Sequence, residues 1–417
     1  MDISGVYLCS RCMRPIEEEA VCPYCGYDHR EQENENPALS RGTLLNGRYQ
    51  LGSVIGFGGF GITYAAYDEV LQTPVAIKEY FPREFARRDT EETDDLQVSE
   101  ENRSLYQVGR EHFIREARVL GMMKDIRGVV TVQDYFEENE TAYIVMEYIR
   151  GTPLEAYADK VKPGQLFAML REPIDALTVL HKQGILHRDI TPSNLLVQED
   201  GSVKLIDFGA AARMDREQSM ILITKRYAPL EQYGTSGQAL GPWTDIYGLC
   251  ATIYHVLTGE APPDALSRSQ KDELIPLGKR RLRLKSWQAR AVMKGLEVNP
   301  KKRPQSMEEF RSILYNTPMP EEIRLRRKIR RAATAGILLA GAGIFWAVTG
   351  SWMPSRTLLD VNETDFKDYS PSEDDRADAD VLGNSAYRRS QIGSITFLDS
   401  RKEAGEDAWD VSDERDG

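Results

Sequence analysis

"HRDITPSN", residues His187–Asn194, is the stretch on which the reading of this chain turns. It sets a carboxylate, Asp189, five residues ahead of an amide, Asn194, after a helical pattern and before a short strand-like piece, Leu195–Val197. A second strand-like piece, Val203–Ile206, leads into "DFGAA", which adds the carboxylate of Asp207 with Phe208 and Gly209 behind it. Upstream, "GFGGFG" fits G-x-G-x-x-G through Gly56, Gly58 and Gly61. Alone that pattern is weak, because a dinucleotide-binding turn reads the same way. Such a turn opens a helix, whereas "ITYAAYDE" here reads as a strand, so the glycines form a hairpin able to lie over phosphates. "VAIK" follows, and a lysine in mid-strand such as Lys78 is costly without a partner. Glu116, in the helically spaced "EHFIREARVLGMM", is the best candidate for that partner. Glu111 is its rival, and an ordinary surface glutamate is the plain alternative.

Five motifs in this order resemble the eukaryotic-like Ser/Thr protein kinases of bacteria, over about residues 49–316. The resemblance implies an α+β, two-lobed kinase fold that takes ATP with Mg²⁺ or Mn²⁺ and acts on protein substrates, itself included. It implies that Lys78 bridges the ATP phosphates and Glu116, and that Asp189 accepts or orients the substrate hydroxyl. Asn194 and Asp207 would hold the metal ions. Gly56, Gly58, Gly61 and Ala76 would surround the nucleotide, and the backbone of Glu147 and Ile149 would meet adenine beside Met146. His187 and Phe208 look like stacked spine residues, Thr224 like the threonine that contacts the catalytic Asp, and Asp245 like the support of the catalytic loop. Glu231 matches a buried glutamate that pairs with a late arginine, here Arg303. Arg188 implies control by a phosphate on Ser219 or Thr224.

There are departures. Most such kinases carry a lysine two residues after the catalytic Asp, and this chain carries Thr191. Either the loop is an active variant that has lost one charge beside the transferring phosphate, or the kinase shape has become a scaffold. The groups for nucleotide, metal and nucleophile are all retained, which favours the first. Thr63 replaces a usual valine, Leu230 a usual proline and Cys250 a usual glycine, and the charged stretch before Glu116 is long. The loop lacks the Ala-Arg pattern of tyrosine kinases, which favours Ser/Thr as acceptor.

The wider pattern fits two lobes. Strand-like runs dominate to about residue 147, and helical ones from about 152, within a domain expected over 43–316. The chain has 417 residues, 41% of them hydrophobic, enough for at least one large core. Its net charge of −12 is uneven, since residues 351–417 hold 17 acidic and 8 basic residues. No basic face for nucleic acid is evident, apart from one short run at 324–331.

Residues 1–28 form a separate module with Cys9-x2-Cys12 and Cys22-x2-Cys25. Two such hooks supply four thiolates for a tetrahedral Zn²⁺, and a module this small needs the metal to fold. The alternatives are two disulfides, disfavoured in a reducing compartment, or a redox pair, which needs only one hook. The module resembles the zinc ribbons of many bacterial proteins, which are often adaptors. Residues 29–42 read as a polar linker.

"AATAGILLAGAGIFWAVTGSW", residues 332–352, is uncharged and long enough to cross a bilayer. "RLRRKIRR" lies just before it, in a basic juxtamembrane segment expected over 317–331. Basic residues stay on the cytoplasmic side, so the expectation is a single-pass membrane protein with its kinase inside and an acidic, disordered tail, 353–417, outside. A buried core helix is the plain alternative. Ala332, Gly336 and Ala340 share one helical face that could pair two copies, though an Ala/Gly-rich span makes such faces by chance.

Overall fold

The computed structural model describes residues 2–3, 6–17, 20–30, 37–59, 61–88, 93–121, 126–208, 212–213, 224–234 and 239–318. The expected membrane span, basic segment, acidic tail and Ser219 lie outside the described residues. Among the described residues no helix is long and apolar enough to cross a membrane.

The first lobe is a six-stranded antiparallel sheet in the order Leu44–Leu45, Tyr49–Phe57, Gly61–Asp68, Thr73–Tyr80, Thr141–Glu147, Val132–Glu138. Side chains alternate across a strand, and Thr73–Tyr80 shows what that does here. Val75, Ile77 and Glu79 share one face and are fully buried, while Ala76 and Lys78 share the other. The last two strands meet at Asn139–Glu140, both with positive φ (50° and 58°), the backbone of a tight hairpin. Helix α1 (Arg103–Gly121) packs on those strands through Tyr106, Phe113, Ala117 and Leu120. These residues recur at helical spacing and line one stripe.

The second lobe is helical: α2 (Pro163–Met169), α3 (Arg171–Lys182), α4 (Pro242–Thr258), α5 (Ala265–Gln270), α6 (Ser286–Gly295) and α7 (Met307–Leu314). Helix α4 is apolar almost all round and buried from Thr244 to Leu257 except at His255, and α6 and α7 pack against it. It ends on Gly259 at φ 74°, a left-handed cap that a side chain would strain. Cys250 of α4 is fully buried, and a Cβ at Gly295 would overlap its sulfur, so α6 approaches α4 only because Gly295 is bare. The two-lobed α+β architecture is therefore present, with a sheet-rich lobe followed by a helical one.

Two stretches carry contacts that the sequence did not announce. The 29–42 segment is no free tether at its far end, since Ala38 and Leu39 are core residues and the Leu39 N–H donates to Tyr64 Oη at 3.1 Å. The charged stretch after Lys78 is not all surface. Arg88 folds back into the sheet lobe and pairs with Glu79, both side chains fully buried. Tyr64 and Tyr143 also donate to Glu79, each at 2.9 Å, and Arg88 reaches the carbonyls of Asp94 and Pro37. A buried carboxylate is tolerated when paired and hydrogen-bonded in this way.

Candidate active site

The cleft is built from the face of the sheet that carries Ala76 and Lys78, and from the loops around "HRDITPSN" and Asp207. The glycine hairpin closes with Gly58 N–H donating to Gly61 O at 2.9 Å. A Cβ at Gly61 would sit 2.5 Å from Glu79 O, so this glycine permits the hairpin to lie flat on its neighbour strand.

Lys78 pairs with Asp207. The pairing expected from the sequence, with Glu116, is not the one formed. Among the described residues no ion pair joins Lys78 to Glu116, although Glu116 is near enough for each to feel the other's charge. Burial disfavours the charge of Glu116, whereas the side chain of Asp207, which takes the ammonium, is 44% exposed. Burial pushes the Glu116 carboxyl up to about 7, Lys78 pulls it back and Asp207 adds to the rise. Burial works against the Lys78 ammonium, but Asp207, Glu116 and Asp189 outweigh it and raise its pKa.

Asp189 is held on both oxygens. Thr224 Oγ1 donates to Oδ1 at 2.6 Å and Asn194 Nδ2 to Oδ2 at 2.9 Å. Asn194 Nδ2 also reaches the Asp189 carbonyl at 2.9 Å, which ties the loop to itself. Burial pushes the Asp189 carboxyl up, while the Thr224 and Asn194 bonds oppose it. Thr191 is buried, and its hydroxyl pairs with Ser193 Oγ at 2.9 Å.

The loop hangs from α4. Asp245, fully buried, accepts from the N–H groups of His187 (2.9 Å) and Arg188 (2.8 Å) and pairs with His181 Nε2 at 2.7 Å. Burial opposes its charge, yet these partners hold its carboxyl below the usual range. Arg188 (φ 68°) and Asp207 (φ 61°) are left-handed, a strained backbone for residues with side chains. The His187 ring packs on Phe208, 4.4 Å between centroids, and burial lowers its pKa. Arg188 is buried with no partner for its Nε among the described residues, and Gly209 lies outside them.

At the junction of the lobes, Glu147 N–H donates to Thr131 O at 2.9 Å, and the Glu147 carboxylate takes Lys204 Nζ at 2.5 Å. Lys204 escaped the sequence reading, although "SVKLIDF" carries the same signal as Lys78, a lysine inside an apolar strand. His181 escaped it as well, and a histidine on an amphipathic helix gives no such signal. Glu231 and Arg303, both fully buried, pair at 2.7 Å, and Thr244 Oγ1 donates to Glu231 at 3.1 Å.

The four cysteine sulfurs lie within 4.8 Å of one another, and none forms a disulfide. Cys9 and Cys25 sulfurs are 3.6 Å apart, and Cys12 and Cys22 sulfurs 3.7 Å. A Zn–S length of about 2.3 Å gives a tetrahedron with edges of about 3.8 Å, so the cluster has the size of a Zn²⁺ site.

A family model described as "Protein kinase domain" matches residues 49–314. Serine/threonine-protein kinase B of Synechocystis is 31% identical over 78% of this chain and 53% of its own length. Serine/threonine-protein kinase PknB of Mycobacterium leprae is 29% identical over 77% of this chain and 51% of its own. The chain thus spans about half the length of the curated relatives it matches. The solved structure "PpkA-294 apo form" is 34% identical, with a TM-score of 0.59 over 66% of this chain and 99% of that one. With its matching residues spanning both lobes and the whole of the cleft, this chain belongs to the protein kinase family.

Proposed function

We propose that the chain is a bacterial, membrane-anchored Ser/Thr protein kinase that transfers the ATP γ-phosphate to protein hydroxyls, its own among them. The observation that carries this is the setting of Asp189, whose two oxygens are fixed by Thr224 and Asn194 beside the Lys78–Asp207 pair. A carboxylate so oriented can accept or align a substrate hydroxyl. Lys78 would steady the phosphates, and the hinge backbone at Glu147 and Ile149 would take adenine. Asn194 spends its NH2 on Asp189, which leaves its carbonyl oxygen for a cation, and Asp207 offers a carboxylate. Two hard oxygen donors suit Mg²⁺, which when bound supplies charge neutralisation at the phosphates. The cysteine module would hold Zn²⁺, and the uncharged run 332–352 would anchor the chain with its kinase lobes in the cytoplasm.

The Lys78–Asp207 pair also favours a second reading, a nucleotide-binding scaffold, because it occupies an expected metal ligand. Phosphate transfer from labelled ATP by residues 1–331 decides between them, with Asp189→Ala as control. Transfer that the control lacks supports the kinase, and nucleotide binding without transfer supports the scaffold.

A further inference from the structure

The cysteine module is seated on the junction between the lobes. In the Tyr49–Phe57 strand, Ser53 donates its N–H to Ser10 O at 2.7 Å and its hydroxyl to Ser10 Oγ at 3.1 Å. Gly52 beside it leaves bare the space in which a Cβ would overlap Ser10 O and the Met13 methyl. At the hinge, Tyr148 Oη donates to Arg11 O at 2.6 Å, and Arg150 Nε to Cys12 O at 3.4 Å. Beyond the hinge, Arg14 pairs with Glu199 at 2.5 Å, an exposed contact of small weight. All these partners lie in one turn, Cys9–Arg14, closed by Met13 N–H to Cys9 O and Cys9 N–H to Arg14 O, each 2.9 Å. The turn carries two of the four cysteines, and Ser10 and Met13 are nearly fully buried.

We propose that this cysteine turn is a brace for the ATP-binding hinge, with Tyr148 as the positioning residue through which it acts. Tyr148 lies between Glu147 and Ile149, so a fixed Tyr148 fixes the backbone that would meet adenine. The proposal rests on the kinase reading of the cleft. A turn with so little core of its own keeps its shape through the metal, so loss of metal releases the hinge. The module then acts on its own chain, where ribbons of this kind are often adaptors to others.

The test uses the full-length chain in detergent, with Tyr148→Phe and Gly52→Val as variants. Tyr148→Phe removes one hydrogen bond, and Gly52→Val pushes the turn away, with a lighter contact on the Ala65 carbonyl and no cysteine or nucleotide-facing residue replaced. Three quantities are read: zinc per chain, amide hydrogen exchange at 147–150, and KM for ATP against kcat. The brace predicts zinc retained in Tyr148→Phe, faster hinge exchange in both variants, and KM raised about three- to tenfold, the worth of one such hydrogen bond, with kcat held within about twofold. Stripping the metal from wild type with a chelator should reproduce the hinge exchange. Hinge exchange and KM unchanged in both variants, or KM and kcat falling together with thermal stability, overturn the brace. A wild-type chain that transfers no phosphate while its hinge exchange responds to both variants overturns the kinase reading alone.

Discussion

At the residue scale, the cleft is a contest among three charges, Lys78, Asp207 and Glu116. Glu116 titrates at about 7 in the folded chain, above the ordinary carboxylate value, because burial disfavours its charge. A carboxyl raised on folding binds its proton more tightly in the folded state. Its stabilising contribution is therefore complete below the unfolded value and is lost as pH rises through about 7. In nucleotide-free, metal-free buffer, the melting temperature of wild type should fall relative to Glu116→Gln between pH 5 and pH 8. Parallel curves for the two proteins would remove this account of Glu116. Thr191 poses a second question at this scale. Its hydroxyl pairs with Ser193 and brings no charge to the cleft. Thr191→Lys should raise kcat about tenfold, or about 1.4 kcal/mol of barrier, and leave the KM for ATP nearly unchanged. A kcat unmoved or lowered in a steady-state assay would mean that this loop is complete as it stands.

At the element scale, helix α4 organises the helical lobe, and two buried charged groups are fastened to it. Asp245 suspends the catalytic loop, and Arg303 joins Glu231 while donating to the carbonyls of Glu297 and Val298. Arg303→Met strands Glu231 in the interior and should cost about 3–5 kcal/mol, read from the denaturant midpoint. The double variant with Glu231→Gln should cost less than the two single changes summed, because they share one interaction. The strands and helices were legible because period-two and helical spacing survive in Thr73–Tyr80 and in α1. Asp189, Asn194 and Asp207 could be proposed together because they lie within one short segment of chain. The partner of Lys78 was not legible. Asp207 and Glu116 both lie far from it in sequence, and the geometry and burial of the folded cleft decide between them. Arg88 was hidden for another reason: it stands in a strongly charged stretch of sequence, so nothing local marks it as the one that turns inward.

At the scale of the whole molecule, three pieces of different chemistry lie along one chain: a cysteine turn, two kinase lobes and an apolar run. The full-length chain should sediment with membranes and resist alkaline extraction, and a chain ending at Pro318 should stay in the soluble fraction. Equal behaviour of the two would remove the anchor from the proposed function. The small lobe also reaches past the 49–314 family match at its start, since Ala38 and Leu39 belong to its core and Leu39 bonds Tyr64. The buried Glu79–Arg88 pair at the centre of that lobe has a consequence for inheritance. Loss of either partner alone leaves an uncompensated charge in the interior. A descendant can discard the two together or keep both, so the two codons should pass through a lineage as one character.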